Sequence, residues 1–298
     1  MLRVKTDPRV SLFRSVPAEL GEGALWHPGR QSLFWIDILG HKVFETTLRD
    51  PATTTRDVGQ RVGAVTPTRA GGLIAALQNG LHRVDLATGQ TTFFACPPEH
   101  DAKTVRFNDA KCDPRGRLWA GTMALDESGH KGALYRFEAD GRSRRMREQV
   151  SVSNGLAWSP DHRTLYYIDS PTRSVQAFDY DADTGDLGRP RVAIDLATTN
   201  GYPDGCTIDT DGNLWIAFWD GACVMRWDPV RARLLDTLHL PVARVTTCTF
   251  GGPGLDTLFI TTAATGLSAA DRAAQPQAGF VFTAQPGARG FVTDGFAG

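Results

Sequence analysis

The sequence predicts an all-β fold, a six-bladed β-propeller with four antiparallel strands in each blade. Three observations carry that prediction. A leucine-based apolar run recurs six times: SLFWID at Leu33, GLIAAL at Leu73, RLWAGT at Leu118, TLYYID at Leu165, NLWIAF at Leu214 and TLFITT at Leu258. The leucines stand 40, 45, 47, 49 and 44 residues apart, the spacing of a repeat architecture. Almost nothing reads as helix, because the apolar runs are short, rich in β-branched and aromatic residues, and bounded by Gly, Pro, Asp and Asn.

Within a repeat the elements follow one order. A first strand comes before each leucine run, as GALWHP, GAVTPT, DAKCDP, GLAWSP, GCTIDT and TCTFGG. It ends at a turn such as HPGRQ, DPRGR, SPDHR or DTDGN, and the leucine run follows as the second strand. The third strand is KVFETTL, GLHRVDL, GALYRFE, SVQAFDY, CVMRWDP or GFVFTAQ. A fourth, more variable strand such as TTFFA or RVAIDL comes after another turn. The last repeat lacks a fourth strand. The segment Val10–Val16 is expected to supply it and cover an otherwise open sheet edge, with the C-terminal GFVTD as the alternative. The repeats run nearly end to end, so residues 1–298 are expected to form a single domain.

Bulk properties narrow the function. The chain has 33 acidic and 32 basic residues, a formal charge of -1, which gives no support to a nucleic-acid or anionic-membrane partner. No apolar run approaches the length of a membrane span. The N-terminal MLRVKTDPRVSLFRSV has no continuous apolar stretch, so no signal peptide is expected. Five cysteines at wide spacing fit neither a disulfide framework nor a zinc motif. They read as buried free thiols of a reducing compartment, the cytoplasm.

The candidate site emerges from aligning the repeats. With Trp26, Thr66, Cys112, Trp158, Ile208 and Phe250 in register, the position four residues earlier holds Glu22, Val62, Asn108, Asn154, Asp204 and Thr246. In a propeller these positions form a ring at one mouth of the central channel. A lone Asp or Asn near a blade end usually ties a turn. Four carboxylates and amides together are costly to bury without a partner, and a hard divalent cation is such a partner. Oxygen donors suit calcium, magnesium or manganese, with zinc less expected. Asp37, Thr122 and Asp169, four residues past their leucines, are expected to back the ring.

Four stretches then carry a resemblance: GEGALWHP, RFNDAKCDPRGRLWAGTM, SNGLAWSPDHRTLYYIDS and YPDGCTIDTDGNLWIAFWDG. Together they resemble the signature stretches of the regucalcin (senescence marker protein) and gluconolactonase family of lactone hydrolases, over nearly the whole chain. The resemblance implies a six-bladed propeller with one divalent cation on its axis, acting on a sugar lactone. It implies Glu22, Asn154 and Asp204 as metal ligands, with Asp204 also the candidate catalytic base. Arg106 and Asn108 would contact the substrate. Asp126 would do so too, although the local sequence ALDE departs from the family pattern.

The implied chemistry is attack of water on a lactone carbonyl polarised by the cation. The nucleophile is either activated by the cation or a free water deprotonated by Asp204. Two other readings stand beside it: hydrolysis of other esters, including organophosphate triesters, and a non-catalytic calcium-binding propeller. Histidine catalysis is not expected, since no His shares the ring position; His100 lies in a loop near the mouth. The segments expected to set the sugar preference are Cys96–Arg106, Met123–Lys131 and Leu196–Pro203. A closed propeller can stand as a monomer, and the sequence leaves oligomeric state open.

Overall fold

A computed structural model of the chain describes residues 5–298. It contains six four-stranded antiparallel sheets. The innermost strands are Gly21–His27, Val62–Pro67, Val105–Cys112, Ser153–Trp158, Tyr202–Ile208 and Val245–Gly251, in blades 1 to 6. The second strands carry the repeat leucines and are buried almost throughout, as in Ser32–Asp37 and Leu118–Ala124. Each is packed on both faces between neighbouring blades, which is why its sequence is continuously apolar rather than alternating. The outer strands, such as Thr53–Asp57 and Ser143–Val150, are largely exposed.

Blades meet through aromatic side chains at equivalent positions. Trp26 of blade 1 stacks on Phe259 of blade 6 with centroids 5.7 Å apart. Trp158 of blade 4 meets Trp119 of blade 3 edge-on at 6.0 Å, and Phe250 of blade 6 meets Trp215 of blade 5 at 5.8 Å. Such pairs contribute on the order of 1 kcal/mol each beyond the apolar area they bury. Trp119 and Trp215 also donate their ring N–H to buried Asp113 and Asp209, at 3.1 and 2.9 Å.

The sixth sheet is made from both ends of the chain. Val10–Arg14 pairs antiparallel with Val281–Ala284, outside Thr257–Thr262 and Val245–Gly251. Residues 290–294 do not form a blade strand. Gly290 bonds to Leu255 O, and Phe296 forms a bridge with Thr68 and is fully buried between blades 2 and 3. The C-terminal segment thus crosses the face opposite the ring. One short helix, Ala269–Ala274, interrupts blade 6. It carries no helical periodicity and rests on the Ser268 cap, whose Oγ accepts from Asp271 N at 3.1 Å.

Among the described residues no helix is long and apolar enough to cross a membrane. All five cysteines are free; four are buried and Cys96 is half-buried.

Candidate active site

Every inner strand changes register at the ring. The irregularities fall between Glu22 and Leu25, Val62 and Ala64, Phe107 and Ala110, Ser153 and Leu156, Pro203 and Cys206, and Val245 and Thr247. A bulge breaks the pleat and re-aims side chains, so the same defect, six times over, turns this position toward the axis. The residue after the ring position is Gly23, Gly63, Gly155 and Gly205 in four blades. A Cβ at Gly63 would lie 2.4 Å from Asn108 O, and one at Gly205 would lie 2.1 Å from Thr247 Oγ1. Adjacent inner strands therefore approach at the ring more closely than a side chain at these glycines would allow.

The side chains there form a directed chain of hydrogen bonds. Arg106 Nη1 donates to Asn108 Oδ1 at 2.6 Å, and Asn108 Nδ2 donates to Asn154 Oδ1 at 2.8 Å. Asn154 Nδ2 donates to Ser170 Oγ at 2.8 Å, and Ser170 Oγ donates to Pro203 O at 2.6 Å. The chain ties blade 3 to blade 4 and reaches blade 5 beside Asp204. Asn108, Asn154 and Asp204 are all buried, while Glu22 keeps part of its surface on the channel. Val62 contributes no donor, and Thr246 Oγ1 donates to Gly21 O at 2.6 Å, joining blade 6 to blade 1.

Electrostatics single out the carboxylates. Burial, followed by the field of Asp109, pushes Glu22 up to about 8. Asp204 is raised well above the usual carboxylate range, by burial first and then by the fields of Glu22 and Asp109. Among the described residues neither has an ion-pair partner, and Glu22 accepts only from Gly23 N at 2.8 Å. Two carboxylates without an ion-pair partner among the described residues, at the same ring position as the Asn154 amide, fit a hard divalent cation. Three convergent His, Cys, Asp or Glu side chains are not found among the described residues; the candidate donors are two carboxylates and an amide.

Asp109 was missed by the sequence alignment. It sits where four other blades carry glycine, is raised by burial, and its field reaches both ring carboxylates. The substitution of Asp for Gly at the position after the ring was the available signal. Below it the channel opens into a cavity of about 440 Å³ toward the far face, lined by Lys111, Trp158 and Phe291 among others. Ser170, which has no counterpart in the aligned strands, was also missed.

The remaining expectations are placed as follows. Arg106 and Asn108 lie at the ring mouth. Asp126 is on an exposed turn, where its carboxylate accepts from Ser128 N at 3.1 Å and Lys131 Nζ at 3.3 Å; the Ser128 hydroxyl first, then the Ser128 N–H and Lys131, hold it down to about 2. Its neighbour Glu127, at φ 56°, is the acidic residue whose field acts most on Arg106. Asp37 and Asp169 do not back the ring side chains. They accept from backbone N–H groups of the incoming chain, Glu19 and Leu20 for Asp37, Ser151 and Val152 for Asp169. They fix where each first strand begins. Thr122 binds the Ala133 backbone. His100 stacks on Phe107 at 4.8 Å, bonds to Gln78 O at 2.7 Å, and burial pushes its pKa down.

Comparison with known proteins gives the family. Residues 20–264 match the family described as the SMP-30/gluconolactonase/LRE-like region. The chain belongs to this family. It is 40% identical to regucalcin of Danio rerio, over 89% of this chain and 90% of that one. It is 36% identical to a putative sugar lactone lactonase of Bacillus subtilis, over 94% of this chain and 96% of that protein. The crystal structure of a calcium-binding regucalcin from Agrobacterium tumefaciens superposes with a TM-score of 0.91 at 28% identity, covering 96% of both chains.

Proposed function

We propose that the protein is a divalent-metal-dependent lactonase that opens a sugar-derived lactone to its aldonic acid. What supports this reading is that Glu22, Asn154 and Asp204 stand at the same ring position of three inner strands, with neither carboxylate paired to a protein cation among the described residues. Relatives described as a sugar lactone lactonase and as a calcium-binding regucalcin support it. Glu22, Asn154 and Asp204 would hold the cation, whose chemistry when bound is Lewis acidity toward the lactone carbonyl and its developing oxyanion.

The chain's own groups do the rest. Asp204 accepts a proton from the attacking water as the water oxygen bonds to the carbonyl carbon. It returns that proton to the ring oxygen when the ester bond breaks. Burial alone favours the protonated Asp204, and a neighbouring positive charge favours the carboxylate this role requires. Arg106 directs its free N–H groups at substrate oxygens. Asn108 receives one Arg106 N–H and orients Asn154. A scaffold would gain nothing from this arrangement, since buried unpaired carboxylates only destabilise it.

The test is acid release from a panel of aldonolactones, with chelator-stripped protein and restored divalent metals, for wild type and Asp204→Ala. Wild type is expected to hydrolyse at least one lactone only when metal is restored. Asp204→Ala is expected to lose at least about two orders of magnitude in kcat, the scale of a lost general base, with unchanged circular dichroism. Retention of most of the rate would remove Asp204 from the chemistry.

A further inference from the structure

We propose that the lactone carries a second acidic group, a carboxylate or a phosphate ester, held at the mouth by the guanidinium groups of Arg61 and Arg106. This rests on the lactonase reading of the same site and specifies which lactones it takes.

Buried arginines elsewhere in the chain are paired with acids. Arg56 meets Glu45 at 2.9 Å, Arg117 meets Asp113 at 2.6 Å, and Arg136 meets Glu138 at 2.9 Å. Arg106, only 7% exposed, is the exception. Its Nη1 reaches only neutral acceptors, Asn108 Oδ1 at 2.6 Å and Phe107 O at 3.1 Å. Its Nε and Nη2 have no protein partner among the described residues. They are not sealed off as the unpartnered Nε of Arg173 and Arg136 are, so they open on the mouth.

The repeat supplies a control. Arg244 occupies the same position in blade 6, two residues before the ring and across the axis from blade 3. It is paired with Asp220 at 3.0 Å and stacked on Trp219. Its charge is spent on the protein, and that of Arg106 is not.

A second guanidinium stands on the same wall. Arg61 immediately precedes the blade 2 ring position, and Gly63 brings that strand against the Phe107 and Asn108 carbonyls. Arg61 also lacks an acid within ion-pair distance among the described residues; its contact is Gln78 Oε1 at 3.4 Å. The Arg61 charge acts on Arg106. Arg106 is lowered to about 10, by burial foremost, with Arg61 opposing the nearby acids.

A neutral polyol could use these N–H groups only as ordinary donors. It would leave the buried Arg106 charge unneutralised beside the half-buried Arg61, a costly arrangement. An acidic substituent forms charge-assisted hydrogen bonds there and offsets the repulsion. Glu127 lies beyond ion-pair distance on an exposed turn, so it moderates the field without filling the site.

The experiment uses metal-loaded full-length protein and three probes: gluconolactone, the monolactone of glucaric acid, and phosphogluconolactone. The expected result is a kcat/KM for at least one acidic lactone about tenfold or more above the neutral one, the effect of roughly one charge-assisted contact. That preference should shrink at high salt. Arg61→Gln should bring the acidic-to-neutral ratio toward one, and Arg61→Lys should restore part of it. The acidic lactone preferred tells carboxylate from phosphate. A neutral lactone turned over as well as both acidic ones overturns this inference while leaving the lactonase reading standing. So does a ratio unmoved by salt and by Arg61→Gln. Failure to hydrolyse any lactone with any metal overturns the lactonase reading, and this inference with it.

Discussion

At the scale of single residues, Asn154 shows how an amide is oriented for the proposed cation. The Pro203 carbonyl can only accept, so the Ser170 hydroxyl must donate to it at 2.6 Å. The Ser170 oxygen is then left to accept, and it takes Asn154 Nδ2 at 2.8 Å. The amide oxygen is thereby turned toward Asn108 and the axis, with a lone pair left for a cation. Ser170→Ala releases the amide. Calorimetric titration of calcium or manganese into chelated protein should show affinity weaker by about tenfold or more, as for other groups that orient metal ligands. Unchanged affinity would mean that Asn108 alone holds Asn154. Glu22, Asn108, Asn154 and Asp204 were legible because they share one repeat position. Ser170 was not, because it acts from a turn after the second strand, where the repeats diverge.

At the scale of elements, legibility followed burial. Second strands such as Leu214–Trp219 are enclosed on both faces and keep an unbroken apolar run in every blade. Outer strands such as Leu187–Asp195 are mostly exposed, so little constrains their composition beyond the ability to pair. The bulge at each ring position left no signal of its own; only the following glycines marked it. The outermost strand of blade 6 is held partly by Phe13, whose ring meets Phe259 edge-on at 5.1 Å and lies under the Arg14 guanidinium at 3.9 Å. Phe13→Ala removes a half-buried aromatic rather than a fully buried one. It should therefore lower unfolding free energy by about 1–3 kcal/mol, below the full cost of a core aromatic, measured from the urea midpoint. Lactone turnover per folded molecule should not change, since this strand lies outermost from the axis. A matching loss of turnover would mean that blade 6 transmits strain to the ring.

At the scale of the whole molecule, six blades converge their inner strands on one cluster of acids, and stability should record what neutralises it. Glu22 has its pKa raised from 4.5 in the unfolded chain to about 8 in the fold. Between those values the native state binds more protons than the unfolded state, so stability falls as pH rises. Asp204 and Asp109 are shifted in the same direction. Other groups act elsewhere. Burial lowers His27, His82 and His100 from 6.5, and their contribution grows as pH rises toward that value and is complete above it. Carboxylates held low, such as Asp228 beside Arg231, contribute above 3.8 and lose that stability only in more acid solution. The window from 6.5 to about 8 therefore isolates the raised acids. In chelator, the melting temperature should fall across that window. Cation must displace the Glu22 proton at the lower pH and need not at the higher. The gain in melting temperature at a fixed cation excess should therefore widen with pH, toward the roughly 2.7 kcal/mol expected at about a hundredfold excess over Kd. Scanning calorimetry with and without cation measures both slopes. A gain constant across the window would separate the cation from Glu22 and Asp204, and the ring would have to be neutralised by something other than a metal.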